Sequence, residues 1–403
     1  MLATILIGSG ISASAFSHHF KGDVEIYEKA SRVGGRLCAR NYKEFIIQFG
    51  AQYATSSNSI FNDYLSKTGA KNCTASIYIE EKNTYEDKNI WTHEKGMQFI
   101  ADYGFLNRKI GFGSCLDQRY PQKIWKSIAD ENINKFIFLG DNVYGDVPSG
   151  ETKNLVKAYK LQARRFPRWL NDLEKLAIWD DHDYGKNDGG SEYKHKRLTQ
   201  KIFMDFWDVP ANDPRRNREG TYFSKDYIIE NNKIKVIGLD TRYFRSNLLG
   251  SRTNRQPNND LNSSILGKSQ WSWLENELND PNTEMFIILS SIQVLATEHG
   301  YEKWANFPHE RDKLINLMQR KKNVLILSGD RHRGAIYRHN AIIEITASSM
   351  NKPGSSDNET DKLMQGRIHK DINYGILVIE EDALKIQLKN NDGAILESAI
   401  ISL

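Results

Sequence analysis

Leu176-Ala177-Ile178-Trp179-Asp180-Asp181-His182-Asp183 is a short apolar run that ends abruptly in three carboxylates around an imidazole, and five other segments repeat its logic. Ile110 to Ser114 leads into Cys115, Phe136 to Gly140 into Asp141 and Tyr144, and Val236 to Leu239 into Asp240 and Arg242. Phe286 to Leu289 leads into Ser290 and Ser291, and Val324 to Gly329 into Asp330 and His332. Runs of four or five apolar residues flanked by turn residues read as buried strands. In layered α/β proteins, ligands gather where the carboxyl ends of such strands open into loops. A strand followed by a polar residue, six times over, predicts that these side chains converge.

The six segments do not carry equal weight. Asp180 to Asp183 repel one another unless cations or hydrogen bonds compensate, so the reading is either a metal cluster or a water-exposed loop. In an extended segment Asp330 and His332 point the same way. Asp141 and Tyr144 offer a carboxylate and a phenol from one loop, a pair suited to a hard, highly charged ion such as ferric iron, or else a turn Asp beside a core Tyr. Cys115 reads either as an inward-pointing thiolate or as a buried cysteine.

The amino-terminal part follows a different grammar. Thr4 to Ile7 forms a buried-strand pattern, Gly8-Ser9-Gly10-Ile11-Ser12-Ala13 follows, a helix-compatible stretch runs to His19, and Glu28 closes a second strand from Asp23 to Tyr27. Glycines let a backbone approach a pyrophosphate at a helix amino end, and an acid about twenty residues on accepts bonds from ribose hydroxyls. A secretory signal would need a charged leader that Leu2 to Phe16 lacks. The expectation is therefore a nucleotide fold at this end.

Bulk properties bound the rest. A chain of 403 residues with 39% apolar content and 28 glycines is long enough for two domains, divided here at 1–104 and 105–403. Its apolar runs are too short to cross a bilayer. The net charge of +4 is spread over short basic runs that read as solvated faces, so no specific nucleic-acid binding is expected. Three cysteines, Cys38, Cys73 and Cys115, lack finger spacing and imply no disulfide framework. A cytoplasmic setting is expected, with an exported one as the alternative.

The order Gly-Ser-Cys115, Gly-Asp141-x-x-Tyr144, Trp-Asp180-Asp-His-Asp and Ser-Gly-Asp330-x-His332 resembles the PhoD-like alkaline phosphatases, within the calcineurin-like metallophosphoesterases. Leu239 to Arg245 and Leu266 to Gln270 extend the likeness, which covers nearly all of residues 106–400. It implies an αββα sandwich that hydrolyses phosphate esters, with a small-molecule, nucleotide or phospholipid substrate. Cys115, Asp141, Tyr144 and His332 are then implied ligands of Fe(III), and Asp141, Asp180 and Asp330 of Ca(II). Asp181, His182 and Arg242 become the candidate catalytic residues, His182 and Arg242 as contacts of phosphate or leaving group. Many members carry Asn where Asp180 stands, so the second site has an added charge here.

Glu28 with Gly34-Gly35-Arg36 and Phe49 to Tyr53 resembles the opening of the renalase-like, amine-oxidase-type flavoproteins. The resemblance implies FAD contacts at Gly8, Gly10, Glu28, Gly34, Gly35 and Arg36. Those enzymes need far more chain than precedes residue 105. An incomplete Rossmann-like segment is expected, serving either residual FAD or nucleotide binding or a docking role. After Asp330, the runs Ala341 to Thr346, Tyr374 to Glu380, Leu384 to Leu388 and Ala394 to Ile401 read as strands for the outer part of a second sheet. Ser246 to Ser264 and Asn351 to Asp361 read as loops near the site.

Overall fold

The computed structural model describes residues 109–403, except 230–231, 355–358 and 381, and before them residue 66 and six strands. The chain divides into two compact units, Met1–Asn107 and Arg108–Leu403. In the first unit, β1 (Thr4–Ile7) pairs in parallel with β2 (Val24–Tyr27), with Thr4 opposite Val24 and Ile7 opposite Tyr27. Parallel neighbours joined by a crossover are the start of a βαβ unit. Two antiparallel pairs follow: β3 (Ala39–Tyr42) with β4 (Phe45–Gln48), and β5 (Lys71–Ile79) with β6 (Thr84–Thr92). The six expected FAD contacts, from Gly8 to Arg36, lie outside the described residues.

The second unit stacks two sheets. One contains β7 (Lys109–Gly113), β8 (Lys135–Leu139) and β9 (Glu174–Ile178), all parallel. The other is built on β11 (Asn232–Gly238), β14 (Met285–Ser290) and β15 (Val324–Ser328), also parallel. It is extended by β10 (Phe223–Ile229), β16 (Gly334–His339), β17 (Ile342–Ala347) and β18 (Met364–His369), in the order β10-β11-β14-β15-β17-β16-β18. A small exposed hairpin, β12 (Leu249–Ser251) with β13 (Asn254–Gln256), stands apart within the stretch expected as a loop.

The carboxy-terminal strands depart from expectation. β19 (Asn373–Ile379), β20 (Ala383–Asn390) and β21 (Ile395–Ser402) extend the first sheet, giving the order β21-β20-β19-β7-β8-β9. Of the four runs expected there, only that of β17 enters the second sheet, and it sits inside that sheet, between β15 and β16. The reason is an open edge: β7 has β8 on one side only, and β19 closes the other by antiparallel pairing, with Gly375 opposite Phe112.

Period-two alternation sorts the strand residues into layers. Ile137 and Leu139 of β8 join Ile287 and Leu289 of β14 and Leu325 and Leu327 of β15 in the core between the sheets. Phe136 and Phe138 face the opposite way, onto α1 (Ile124–Asp130), α2 (Lys153–Arg165) and α4 (Lys196–Phe206). Phe286 and Ile288 likewise pack on α5 (Gly267–Leu278) and α6 (Pro308–Met318). With α3 (Asp181–Tyr184) opening after β9, the result is helix, sheet, sheet, helix. Strands covered on both faces read as continuous apolar runs, which is why they are visible in the sequence. In α2, Leu155, Ala158, Tyr159 and Gln162 are the buried positions, the i, i+3, i+4, i+7 stripe of a helix with one covered face.

Phe112 fills the space above Gly375 so closely that a Cβ on residue 375 would lie 1.9 Å from the ring. Gly375→Ala is therefore expected to destabilise the protein by about 1–3 kcal/mol through overpacking. Phe112→Leu should recover part of that loss in the double variant. Urea unfolding of the four proteins checks it, and strictly additive losses would rule out the close approach.

Candidate metal centre

All six segments end on one side of their sheets. Cys115 follows β7, Asp141 follows β8, Asp180 caps α3 after β9, and Asp330 and His332 follow β15. Four of these residues adopt left-handed backbone: Cys115 at φ 58°, Asp141 at 54°, Asp330 at 67° and His332 at 53°. Non-glycine residues occupy that region at a cost of about 1–3 kcal/mol each, and such residues cluster at functional sites. Gly140, at φ +95°, makes the crowding feasible, since a Cβ there would sit 2.6 Å from Asp180 Cβ.

Donor atoms converge in three overlapping groups, each within 4.8 Å: Cys115 with Asp141 and His332, Asp141 with Asp181 and His182, and Asp180 with Asp181 and Asp330. Tyr144 joins through its hydroxyl, which donates to Asp141 Oδ2 at 2.8 Å. The structure thus brings together all six residues expected to hold metal, along with Asp181 and His182. Arg242 is fully buried and reaches the cluster only through Asp180, its Nε donating to Asp180 Oδ1 at 2.6 Å and its Nη1 to Glu302 Oε2 at 2.7 Å. It braces a carboxylate.

Three buried carboxylate oxygens, Asp141 Oδ1, Asp180 Oδ2 and Asp181 Oδ1, have no hydrogen-bond partner. Buried charge left unpaired is strongly unfavourable, so these oxygens fit cations. The donor set agrees, offering thiol, phenol and imidazole at one end and carboxylates alone at the other. Without a cation the protons stay on: burial and Asp141 push the Cys115 thiol and the Tyr144 phenol well up. Burial lifts Asp141 to about 6, and burial with Asp181 lifts Asp330 to about 8. Asp181 behaves differently: burial opposes its charge, but His182, Arg242 and the Asp188 N–H at 2.7 Å hold it below the usual carboxylate range.

The two histidines part company. Burial lowers His332 to about 4, and its Nδ1 lies 2.6 Å from the Lys352 carbonyl, which only accepts. Nδ1 therefore carries the proton and Nε2 keeps a free lone pair, the state of a metal ligand. For His182 burial also opposes charge, but Asp141, Asp181 and Asp146 raise it to about 10, with Nδ1 2.5 Å from Asp146 Oδ1. In the metal-free protein this favours the imidazolium, with Nε2–H as a donor.

Of the residues that support the cluster, Ser348 and Lys352 gave no signal in the sequence, whereas Asp183 and Asp240 were visible there but take structural roles. Ser348 Oγ lies 3.1 Å from Cys115 Sγ and accepts the His332 N–H at 3.0 Å. Lys352 Nζ lies 3.3 Å from the centre of the Tyr144 ring. Asp183 accepts the Asn142 and Asp180 N–H groups at 3.0 and 3.1 Å and so ties two loops together. Asp240, flagged in the sequence, is a turn residue that accepts the N–H groups of Arg242 and Tyr243, both at 2.9 Å.

A two-sheet αββα unit with such a cluster where its parallel strands end defines the metallophosphoesterase class. The chain belongs to the PhoD-like phosphatase family, which it matches over residues 158–396. It is 26% identical over 273 residues to alkaline phosphatase D of Bacillus subtilis (strain 168), a match spanning 55% of this chain and 45% of that relative, less than half its length. A solved structure of PhoD aligns at a TM-score of 0.55 and 17% identity, over 73% of this chain and 68% of that one. The purple acid phosphatase PPD1 of yellow lupin aligns at 0.51 and 13%, over 73% and 53%, and the Plasmodium inner-membrane-complex anchor GAP50 at 0.51 and 11%, over 74% and 90%. These structures share the fold. Residues 6–68 separately match an NAD(P)-binding Rossmann-like domain.

Metal-free protein should lose stability as pH rises from 6.5 to 8. Asp330 and Asp183, both raised to about 8, and His182, raised to about 10, are protonated in the folded state and deprotonate more readily on unfolding. Across that window the folded state binds more protons, so stability falls with pH. His332, lowered to about 4, acts only below 6.5. Thermal melts of chelator-stripped protein should show this slope, Asp330→Asn should reduce it, and added metal should largely abolish it. A flat profile in stripped protein would contradict the assignment.

Proposed function

We propose that the protein hydrolyses phosphate esters at this cluster, with Cys115, Asp141, Tyr144 and His332 holding Fe(III) and Asp141, Asp180 and Asp330 holding Ca(II). Asp181 joins the second set, because its Oδ1 is buried and unpartnered beside both Asp141 and Asp330. The observation that carries the reading is this trio of orphaned carboxylate oxygens beside a thiol, a phenol and a neutral imidazole. Bound metal ions supply a neutralising charge for the phosphate and lower the pKa of water.

The protein's own groups do the rest. His182 faces a cavity of about 170 Å³ shared with Asp141, Asp181 and Asp330, and in its protonated form gives Nε2–H to a phosphoryl oxygen or to the departing alkoxide. Asp146 fixes its ring through Nδ1. Arg242 and Ser291, whose Oγ donates to Asp180 Oδ1 at 2.6 Å, hold one oxygen of Asp180 and leave the other for metal. The substrate is a phosphate monoester or diester of a small molecule, nucleotide or phospholipid. Among the described residues no helix is long and apolar enough to cross a membrane.

A second reading concerns the amino-terminal unit, favoured by its match to NAD(P)-binding Rossmann-like domains and by the parallel β1–β2 pair. There the unit binds FAD or a dinucleotide beside the hydrolase activity. Visible flavin absorbance of the purified protein, or a rise in melting temperature with FAD or NAD(P), tests it.

Chelation should abolish turnover of an aryl phosphomonoester and the matching diester, and iron with calcium should restore it. In reconstituted protein His182→Ala is expected to lower kcat by about 10²-fold, and Asp146→Asn by about tenfold. Failure of both esters under every metal condition would overturn the hydrolase reading.

A further inference from the structure

The cavity that opens on the metal cluster is divided by charge. Asp141, Asp181 and Asp330 line one part, and three guanidiniums, Arg252, Arg331 and Arg333, line another. The reading above assigns those carboxylates to metal and to the phosphate being cleaved. The arginines have no part in it.

Their carboxylate partners are shared. Arg331 Nη2 lies 2.7 Å from Glu359 Oε1, and Arg333 Nη1 lies 2.8 Å from the same oxygen. Arg255 Nη2 lies 2.5 Å from Asp188 Oδ2, and Arg252 Nε stands 3.9 Å from that same atom. Four guanidiniums therefore share two carboxylates, Glu359 and Asp188, as their ion-pair partners. Arg331 is almost fully buried at 5% side-chain exposure, yet its Nε has no hydrogen-bond partner. A buried charged donor left unmade is as unfavourable as the orphaned carboxylates, and of opposite sign.

The framework that holds these cations is rigid. Arg331 stacks over the Tyr301 ring, its guanidinium carbon 4.4 Å from the centroid, and Arg333 Nε donates to the Arg331 carbonyl at 3.1 Å. Arg252 begins the two-residue turn between β12 and β13, since Ser251 pairs with Asn254. That hairpin is fastened by the Arg255 N–H to the Gly300 carbonyl at 2.7 Å and by Arg255 to Asp188. The Asp188 N–H in turn holds Asp181 at 2.7 Å. The turn is thus fixed to the metal-binding loop while the Arg252 side chain stays 67% exposed and available to a ligand.

We propose that Arg252, Arg331 and Arg333 form a second anion subsite, and that the substrate is a phosphate ester bearing a further phosphate group beyond the one cleaved. Planar guanidiniums with forked donors match phosphate oxygens in pairs. A cavity of about 170 Å³ beside the metal cluster has room for a phosphate-sized group. Arg331 supplies the buried donor, Tyr301 holds its plane, and Arg252 closes over the ligand from the hairpin. This inference rests on the hydrolase reading for the word substrate. The subsite itself is tested by binding alone.

Calorimetric titration of metal-reconstituted protein with thymidine 5′-monophosphate and thymidine 3′,5′-bisphosphate separates the two. The bisphosphate should bind about tenfold more tightly or better, the scale of charge-assisted hydrogen bonds. Arg252→Gln should remove most of that preference and Arg252→Lys should keep part of it, because the exposed turn tolerates either side chain. In turnover, the p-nitrophenyl ester of thymidine 5′-phosphate with a 3′-phosphate should show the higher kcat/KM by a similar factor. Equal affinities in the unaltered protein, or a preference unchanged in Arg252→Gln, would overturn the subsite. A binding preference without hydrolysis of any ester would instead overturn the hydrolase reading and leave the anion subsite standing.

Discussion

Repulsion among buried carboxylates is the constraint around which this protein is arranged. Asp141, Asp180, Asp181 and Asp330 are brought together with three of their oxygens unpartnered, on loops whose backbone is itself held in the left-handed region at Cys115, Asp141, Asp330 and His332. Neither feature persists unless the surrounding structure over-determines it. Two parallel strand sets, each buried on both faces, supply that rigidity. Their apolar side chains form a core between the sheets and one further core beneath the helices on either outer face. The strain sits where the strands stop, and it is sustained by packing that lies elsewhere.

The protein manages the repulsion unevenly, and the unevenness assigns roles. Arg242 and Ser291 take one oxygen of Asp180, and the Asp188 N–H takes one of Asp181, so each keeps a single free oxygen. Asp183 is spent on two backbone N–H groups and serves the loops. The histidines are sorted by the same field. In the metal-free protein burial and Lys352 hold His332 down, whereas Asp141, Asp181 and Asp146 hold His182 up. Environments that drive two like groups to opposite protonation states are how one site provides both a ligand and a proton donor.

What the sequence disclosed follows from this physics. Strands covered on both faces leave unbroken apolar runs, and left-handed turns beside glycine leave Gly-Ser-Cys115, Gly-Asp141 and Gly-Asp330, so both the sheets and the cluster were legible. Pairing across long separations was not. Nothing local in residues 373–402 signals that β19 closes the free edge of β7, because that choice is made by Phe112 lying over Gly375. The division of labour between Asp180 and Asp181 was equally hidden. They are adjacent and chemically identical, and what separates them arrives from distant or later loops: Arg242 and Ser291 on Asp180, and the Asp188 N–H on Asp181. Ser348, Asp146 and Lys352 act as single residues in loops, where no periodicity marks them.

A shared fold leaves the choice of substrate to what surrounds the metal. The scaffold aligns at nearly the same TM-score with a purple acid phosphatase and with a protein described as a membrane-complex anchor, so the sheets by themselves specify no chemistry. Specificity has to come from the loops around the site. The β12–β13 hairpin is one: it is short, polar and exposed, with no apolar face to bury, yet it is bonded at Gly300 and Asp188. An element that contributes so little to a core, yet is anchored to the same loop that positions Asp181, has its position set by the site. Its one side chain in the cavity is an arginine, and the residues that flank Asp330 and His332 add two more. Three arginines that share two carboxylates, and the carboxylate cluster set in one cavity with them, are both accommodated if each sign takes its own ligand: metal for the acids and, on our proposal, phosphate for the arginines.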